Sequence, residues 1–260
     1  MMVQLSSLQS KAISVISLIA FIFIWQLISS FKLISPILLP SPLQILDTVI
    51  DLFKNGYRDA PFYFHIFIST ARALFAFLIA ILIGIPLGLL MGRNAVLNAI
   101  FDPFVQFLRP IPKIALIPLV VVWLGIGEES KFFLIFIATF LSIIVGSSSA
   151  SHNVPKGLIQ AGQTMGLGST SILFKIILPS SLPEIFTSIR LSIGIGWTSL
   201  IAAEMVAATS GLGWMIINAG SYLRTDVVIV GIILLGSIGF ILDWLIVKAQ
   251  QKWAPWTGKV

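Results

Sequence analysis

Six apolar runs, separated by short polar or proline-bearing segments, dominate the pattern along the chain. A helix rises about 1.5 Å per residue and a bilayer core is about 30 Å thick, so runs of roughly 20 residues can span it. The third run is shorter and follows Arg109-Pro110-Ile111-Pro112, which predicts a helix broken by proline. We predict six spans in a single domain, residues 1–260, at about 12–31, 66–91, 112–127, 131–150, 187–208 and 227–247.

A polar, glycine-bearing segment, QAGQTMGLGSTSILFKIILP, lies between the fourth and fifth apolar runs at residues 160–179. The segment begins with apolar residues at helical spacing, the last of which is Met165, and Gly166 and Gly168 are expected to end this first helix. Ser169 or Thr170 can cap a second helix running to Pro179. The pattern predicts a helix, a glycine turn, a second helix and a stop at proline, within a cytoplasmic loop at about 153–185.

The segment 43–56 has the pattern of an amphipathic helix. Ser41 with Gln44 forms a capping box, Pro42 takes the first helical position and Gly56 closes the end. An apolar face of Leu43, Leu46, Val49, Ile50 and Phe53 indicates a helix lying on the membrane surface. A helix of a soluble domain is the alternative that this pattern leaves open.

Glycines at four-residue spacing mark the second span. Gly84, Gly88 and Gly92 share one helix face, with Pro86 among them. Small residues at this spacing let a second helix approach closely in lipid. The sequence predicts a packing face, either static or able to slide.

Polar residues within the spans are candidates for a translocation path or gate. Arg72 and Glu204 are ionisable groups that are costly in hydrocarbon and are paired or functional in most membrane proteins. Trp197 and Thr198 lie in the fifth run and could line the same path. A structural pair or interfacial position for Arg72 and Glu204, and core packing for Trp197, are the alternatives.

Composition agrees with a membrane protein. Of 260 residues, 57% are hydrophobic and 10% are charged, and the mean hydropathy is +1.04, outside the range of soluble domains. The net charge of +6 bears on the orientation of the protein in the membrane and on its contact with anionic lipid. Nucleic-acid binding is not expected, because the chain has no basic aromatic patch. With both termini and residues 160–179 placed in the cytoplasm, ten of the 16 Lys and Arg residues lie inside.

No catalytic constellation is present in the sequence. The glycine-rich loop with lysine that cradles phosphates, G-x-x-x-x-G-K-[ST], does not occur, so we do not expect the chain to hydrolyse ATP alone. The two histidines, His65 and His152, are predicted on opposite membrane sides, and no metal is expected. Cysteine is absent.

The segment 160–179 resembles the "EAA" loop of bacterial ATP-binding-cassette (ABC) importer permeases, E-A-A-x3-G-x9-I-x-L-P. Two positions depart from it, since Gln160 stands for the glutamate and Gly162 for the second alanine. The matching positions are Gln160, Ala161, Gly162, Gly166, Ile176, Leu178 and Pro179, with Met165 beside the turn. The resemblance implies an all-α integral membrane protein of the type I importer permease (MetI-like) fold, whose loop docks in a groove of a separate ATPase.

The resemblance also implies the partners. These are two ABC ATPase subunits that bind ATP and Mg²⁺, a periplasmic or lipid-anchored substrate-binding protein, a second copy of this chain, and lipid, in the bacterial inner membrane. No cofactor is expected in the chain itself. An ion-gradient-driven secondary transporter is the alternative from another class, but it would be expected to show inverted repeats and paired acids.

Further motifs are similar to the nitrate, sulfonate and taurine branch of these permeases. They include Leu39-Pro40-Ser41-Pro42, Ser69-x-x-Arg72, Asp102-Pro103, Ala203-Glu204 and Gly211-Leu212-Gly213. Residues 204–213, 223–228 and 255–258 are most similar to taurine permeases. Taurine or another sulfonate is therefore the expected cargo, with nitrate or bicarbonate as the alternative.

Overall fold

The fold is helical throughout the part of the chain that the structure describes. A computed structural model describes residues 7–257, without the side chains of residues 7, 8, 10, 11 and 207, so Gly258 and Lys259 lie outside the described residues. The helices are α1 (Ser7–Ser30), α2 (Pro42–Asn55), α3 (Phe62–Arg93), α4 (Ala95–Leu108), α5 (Ile117–Leu124), α6 (Glu128–His152), α7 (Lys156–Thr164), α8 (Ser169–Ile172), α9 (Leu178–Ala207), α10 (Leu212–Ser221) and α11 (Thr225–Trp253). A 3₁₀ turn at Lys113–Leu116 precedes α5, and a π turn at Leu173–Ile177 joins α8 to α9.

Five of the described helical stretches are long and apolar enough to cross a membrane. They are Ala12–Ser30, Phe62–Arg93, Glu128–His152, Ser169–Val206 and Thr225–Trp253. A sixth span is counted if Ala95–Leu108 and Lys113–Leu124 together form one, bent by 94°. The runs predicted at 66–91, 131–150 and 227–247 therefore lie inside longer helices, which continue past the apolar residues at both ends.

The third predicted span, 112–127, is only the second arm of this bent pair. The sequence reasoning overlooked α4, which forms the first arm of the bent pair. Pro110 and Pro112 lie at the break, where proline can neither donate a backbone hydrogen bond nor follow an α-helical residue without strain. The bend therefore has a local cause in the sequence.

The chain divides into two units of contacts, described here one at a time. The first comprises the described residues up to His65 together with Met215–Leu234. Within it, the Thr48 hydroxyl donates to Asp226 Oδ2 at 2.9 Å, and the Tyr57 hydroxyl donates to Asn218 Oδ1 at 2.9 Å. These bonds tie α2 and the loop after it to α10 and α11.

The N-cap by Ser41 and the end at Gly56 that were predicted for α2 are confirmed. The Ser41 side chain accepts a hydrogen bond from the Gln44 backbone N–H at 3.1 Å, Pro42 begins the helix, and Gly56 ends it at φ 76°. The helix buries Ile45, Thr48 and Leu52. The opposite face stays exposed with large apolar side chains at Leu43, Leu46, Ile50 and Phe53, a pattern typical of a helix on a membrane surface.

The second unit comprises Ile66–Trp214 with the described residues from Leu235 onward. Its core forms where α6 lies along α9. One apolar cluster joins Ile117, Val120, Leu134 and Ala203, from α5, α6 and α9. The long helices of this unit hold the candidate site residues at fixed positions.

Candidate functional site

An ionic cluster, buried except at Glu128, whose side chain is 58% exposed, joins three helices of the second unit. We define the ionic cluster as Ser69 and Arg72 on α3, Glu128 and Lys131 on α6, and Glu204 on α9. The Arg72 guanidinium donates to Glu204 Oε1 at 2.7 Å from Nη1, and to both Glu128 oxygens at 2.6 and 2.7 Å from Nε and Nη2. Lys131 Nζ adds a 2.8 Å ion pair to Glu128. Bidentate geometry of this kind fixes the arginine firmly.

Glu204 is fully buried, and its carboxylate accepts hydrogen bonds from Arg72, Ser69 and Gly213. Besides Arg72, it accepts from the Ser69 hydroxyl at 2.8 and 2.9 Å and from the Gly213 backbone N–H at 2.8 Å. The Leu212 N–H in turn donates to Ser69 Oγ at 2.7 Å. These N–H groups belong to the first turn of α10, where the helix dipole favours a negative charge. The cluster thereby ties α3, α9 and the start of α10 together.

The loop before α10 is shaped to fit around this carboxylate. Gly211 has φ 123°, and a Cβ built at this position would collide with the Glu204 carboxylate. The Ser210 carbonyl accepts from Arg72 Nη1 at 2.8 Å. Glycine at 211 is therefore required both by backbone conformation and by space.

The four residues predicted as path or gate do not form one site. Arg72 and Glu204 meet in the ionic cluster, where their geometry is that of the structural pair considered as the alternative. Trp197 is buried, and its indole N–H donates to the Leu235 carbonyl at 3.0 Å. Thr198 lies exposed on another face of α9, with its hydroxyl bonded to the Gly194 carbonyl. A role of these residues in a path stays a prediction.

Sequence reasoning missed Glu128 and Lys131. The available signal was their i, i+3 spacing at the start of an apolar helix, together with the need of a buried Arg72 for a second carboxylate. It also missed the partner of Asp243, an acid within the last apolar run. In the structure Asp243 pairs with Arg190 at 2.7 Å.

The predicted coupling segment begins with α7, which ends in a Schellman motif. Gly166 has φ 78°, the Leu167 N–H donates to the Gly162 carbonyl at 3.0 Å, and the Gly166 N–H donates to the Gln163 carbonyl at 2.9 Å. This pairing satisfies the last carbonyls of the helix and needs a residue that tolerates positive φ. The glycine turn predicted here is therefore present in the structure.

The packing around Gly162 explains why this position has glycine in place of the second alanine of the motif. It is buried, and a Cβ at this position would collide with Ile176 Cδ1. Ile176 therefore occupies the space that an alanine methyl would take. Gln160 and Ala161 are exposed beside it, and Met165 is 80% exposed.

The proline stop predicted at Pro179 is wrong. Pro179 lies in the first turn of α9, and the helical path continues from Ser169 to Val206, so residues 178–185 of the predicted loop are helical and the helix that contains the fifth predicted span begins before residue 187. The Leu178 N–H donates to the Leu173 carbonyl, five residues back, which forms the π turn. The wider turn accommodates Pro179, which has no backbone N–H to donate. Gly168, and not Ser169 or Thr170, is the residue before α8.

The three glycines of α3 face α6. A Cβ built on Gly88 would lie 2.6 Å from the Ile144 carbonyl oxygen, and one on Gly92 would collide with the Ser148 carbonyl. A Cβ on Gly84 would lie 3.0 Å from Ile143 Cγ2. The close approach of the two helices leaves no room for larger residues at 88 and 92.

A second polar group lies in the first unit, in the groove beside Tyr57. The Arg58 guanidinium is 4.2 Å from the centroid of the Tyr222 ring, and Arg224 pairs with Asp226 at 2.8 Å. Burial raises the pKa of Tyr57, and the hydrogen bond to Asp226 raises the pKa of Arg224. These side chains are therefore protonated at neutral pH, and the groove places Arg58 and Arg224 beside the carboxylates of Asp51 and Asp226.

Comparison with known proteins gives concordant matches. Residues 84–254 match the family described as "Binding-protein-dependent transport system inner membrane component". The chain is 38% identical to the taurine transport system permease protein TauC of Escherichia coli (strain K12), covering 95% of this chain and 90% of the relative. It is 30% identical to the nitrate import permease protein NrtB of Synechocystis sp., covering 91% and 90%. A chain of the inward-facing MetNI methionine ABC transporter aligns with TM-score 0.56 at 25% identity, covering 68% of this chain and 91% of that chain.

Proposed function

The chain belongs to the family of binding-protein-dependent transport system inner membrane components, as an ABC importer permease subunit of the inner membrane, and on this premise we propose that it carries taurine or a related small sulfonate. The observation that carries the proposal is the 38% identity to a taurine permease over 95% of the chain. Arg190, within an apolar span, offers a guanidinium suited to an oxyanion.

We further propose that α7 and the turn after it dock on a separate ATPase subunit, which binds ATP and Mg²⁺. The support is a set of apolar side chains that are exposed in this chain, at Leu158, Met165 and Phe174. Short helices with a few apolar anchors bind in grooves of partner proteins. Gln160, Ala161 and Gly166 lie in the same segment, which therefore faces the cytoplasm together with both termini.

The assembly that we propose contains two copies of this chain, two ATPase subunits and an external substrate-binding protein. One coupling segment per chain requires one ATPase per copy. The exposed apolar residues of α1 and of the outer face of α2 contact lipid. Cargo selection takes place mainly in the external protein, since a permease that bound an anion tightly would release it slowly.

The proposed cargo is tested by uptake into proteoliposomes that contain this chain, its ATPase and its binding protein. We expect ATP-dependent accumulation of labelled taurine at least tenfold above that of labelled nitrate. Proteoliposomes without the binding protein are the control and should accumulate neither. Accumulation of nitrate without taurine would contradict the proposal and favour the nitrate alternative.

A further inference from the structure

One face of α9 carries polar residues along an otherwise apolar span. Glu184, Thr187, Arg190, Gly194 and Thr198 follow a spacing of three or four residues, which places them on one side of the helix, and all five are exposed. We call this set the polar stripe. No atom lies within 4 Å of a Cβ built on Gly194, so the middle of the stripe is open.

The polar stripe differs from the outer face of α3. The exposed residues in the middle of α3 are all apolar, at Leu74, Phe75, Leu78, Leu82 and Ile83, as expected for a surface in contact with lipid. The polar stripe offers hydroxyl, carboxylate and guanidinium groups instead. Charged groups face the protein interior or water in membrane proteins, so Glu184 and Arg190 indicate a surface away from lipid, although the exposed apolar side chains of Leu191 and Ile195 lie beside them on α9.

An ion pair lies at the centre of this face. Arg190 Nε donates to Asp243 Oδ1 at 2.7 Å, and Nη2 donates to Oδ2 at 3.0 Å. Both residues lie in the middle third of their helices, α9 and α11. Nevertheless the two side chains are 39% and 41% exposed. In the ionic cluster, by contrast, Glu204 has no exposed surface. Arg190 is the fourth residue of the predicted span 187–208 and Asp243 is the fifth from the end of 227–247, so this half-exposed pair lies within two apolar spans and needs water or another polar group beside it.

We propose that the polar stripe lines the aqueous translocation path, and that the Arg190–Asp243 pair is the point where the cargo contacts the permease. The proposal rests on the sulfonate function proposed above and names residues for it. Arg190 receives the sulfonate, and Asp243 receives the ammonium group of a zwitterion such as taurine.

The pairing explains how a charged cargo could pass without being trapped. A zwitterion brings one charge of each sign, so its two ends replace the two partners of the Arg190–Asp243 pair and neither side chain is left unpaired. When the cargo leaves, the ion pair forms again and competes with rebinding. Low affinity of this kind is what a conducting site requires.

Substituted cysteines test the water exposure of the polar stripe, because the chain contains no native cysteine. Thr187→Cys and Thr198→Cys are compared with the matched control Leu82→Cys in the complete transporter in lipid nanodiscs. We expect the polar-stripe thiols to react at least tenfold faster with water-soluble methanethiosulfonates. Equal slow rates at all three positions would overturn the proposal. So would disulfide cross-linking of Thr187→Cys between two copies without labelling, since the second copy would then cover the polar stripe.

The charge of the reagent tests the ion pair itself. In the Thr187→Cys background, Arg190→Gln should lower the rate ratio of the anionic sulfonatoethyl reagent to the cationic trimethylammonium reagent at least threefold. Asp243→Asn should raise this ratio at least threefold, and Arg190→Lys should leave it within twofold, which controls for misfolding. A ratio that is unchanged by both Arg190→Gln and Asp243→Asn would overturn the site.

Protection of Thr187→Cys from labelling tests the contact site and the identity of the cargo separately. Taurine should slow the labelling of Thr187→Cys, and Arg190→Gln should abolish this protection. Protection by nitrate and not by taurine would contradict the role of Asp243 and the taurine proposal. A polar stripe that is labelled and sensitive to reagent charge would in that case still support Arg190 as the anion contact.

Discussion

Replacing Glu204 by leucine is expected to lower the stability of the purified chain by about 3–5 kcal/mol, because it removes one carboxylate of a buried ion-pair network and leaves several buried donors without their acceptor. The change removes the acceptor for Arg72 Nη1, for the Ser69 hydroxyl and for the Gly213 N–H. Thermal unfolding in detergent measures the loss, which should appear as a midpoint far below that of the wild type and as a low yield of folded protein.

The matched control is Glu129→Gln, which removes an exposed carboxylate next to Glu128 and should cost less than about 1 kcal/mol. The double variant Arg72→Met with Glu204→Leu should recover part of the stability, because the buried Arg72 guanidinium, which has lost its Glu204 acceptor, is then also removed. Equal midpoints for Glu204→Leu and the wild type would show that the ionic cluster does not stabilise the fold.

Gly166→Val is expected to abolish ATP-driven uptake, to below a tenth of the wild-type rate, while the chain still inserts into the membrane. Gly166 has φ 78° in the turn that ends α7, and a β-branched residue in this conformation costs about 1–3 kcal/mol or rebuilds the turn. Either outcome moves Met165 and the exposed end of α7. Uptake and co-purification with the ATPase are the two measurements.

Gly168→Val supplies the control for this change. Gly168 has an extended backbone at φ −71° and ψ 163°, with no atom within 4 Å of a built Cβ, so valine fits there without strain. The Gly168 variant should retain most of the uptake. Wild-type uptake and wild-type co-purification in Gly166→Val would contradict the assignment of this turn to coupling.

Local signals predicted the elements that depend only on neighbouring residues. The cap of α2 by Ser41 and its end at Gly56 follow from hydrogen bonding and backbone freedom within a few positions. The turn at Gly166 and the apolar spans follow in the same way from residue type and length. In these places the sequence and the structure agree because no distant contact decides the outcome.

Contacts between distant residues account for what the sequence did not predict. Pro179 signals a helix end, but the π turn before it lets the helix continue. A pair of Arg72 with Glu204 was one alternative from the sequence, but the second carboxylate, Glu128, was not predicted because the pairing joins helices far apart in the chain. The exposed pair of Arg190 with Asp243 joins residues 53 positions apart on α9 and α11, so no local pattern predicts it.

The central claim is that this chain moves its cargo with energy from a partner ATPase. The direct measurement is the uptake of labelled taurine into proteoliposomes containing the chain, its ATPase and its binding protein, with ATP sealed inside and no ion gradient. We predict accumulation that stops when ATP is replaced by a non-hydrolysable analogue, and none when a proton or sodium gradient replaces ATP. Accumulation driven by an ion gradient without ATP would contradict the account and identify a secondary transporter.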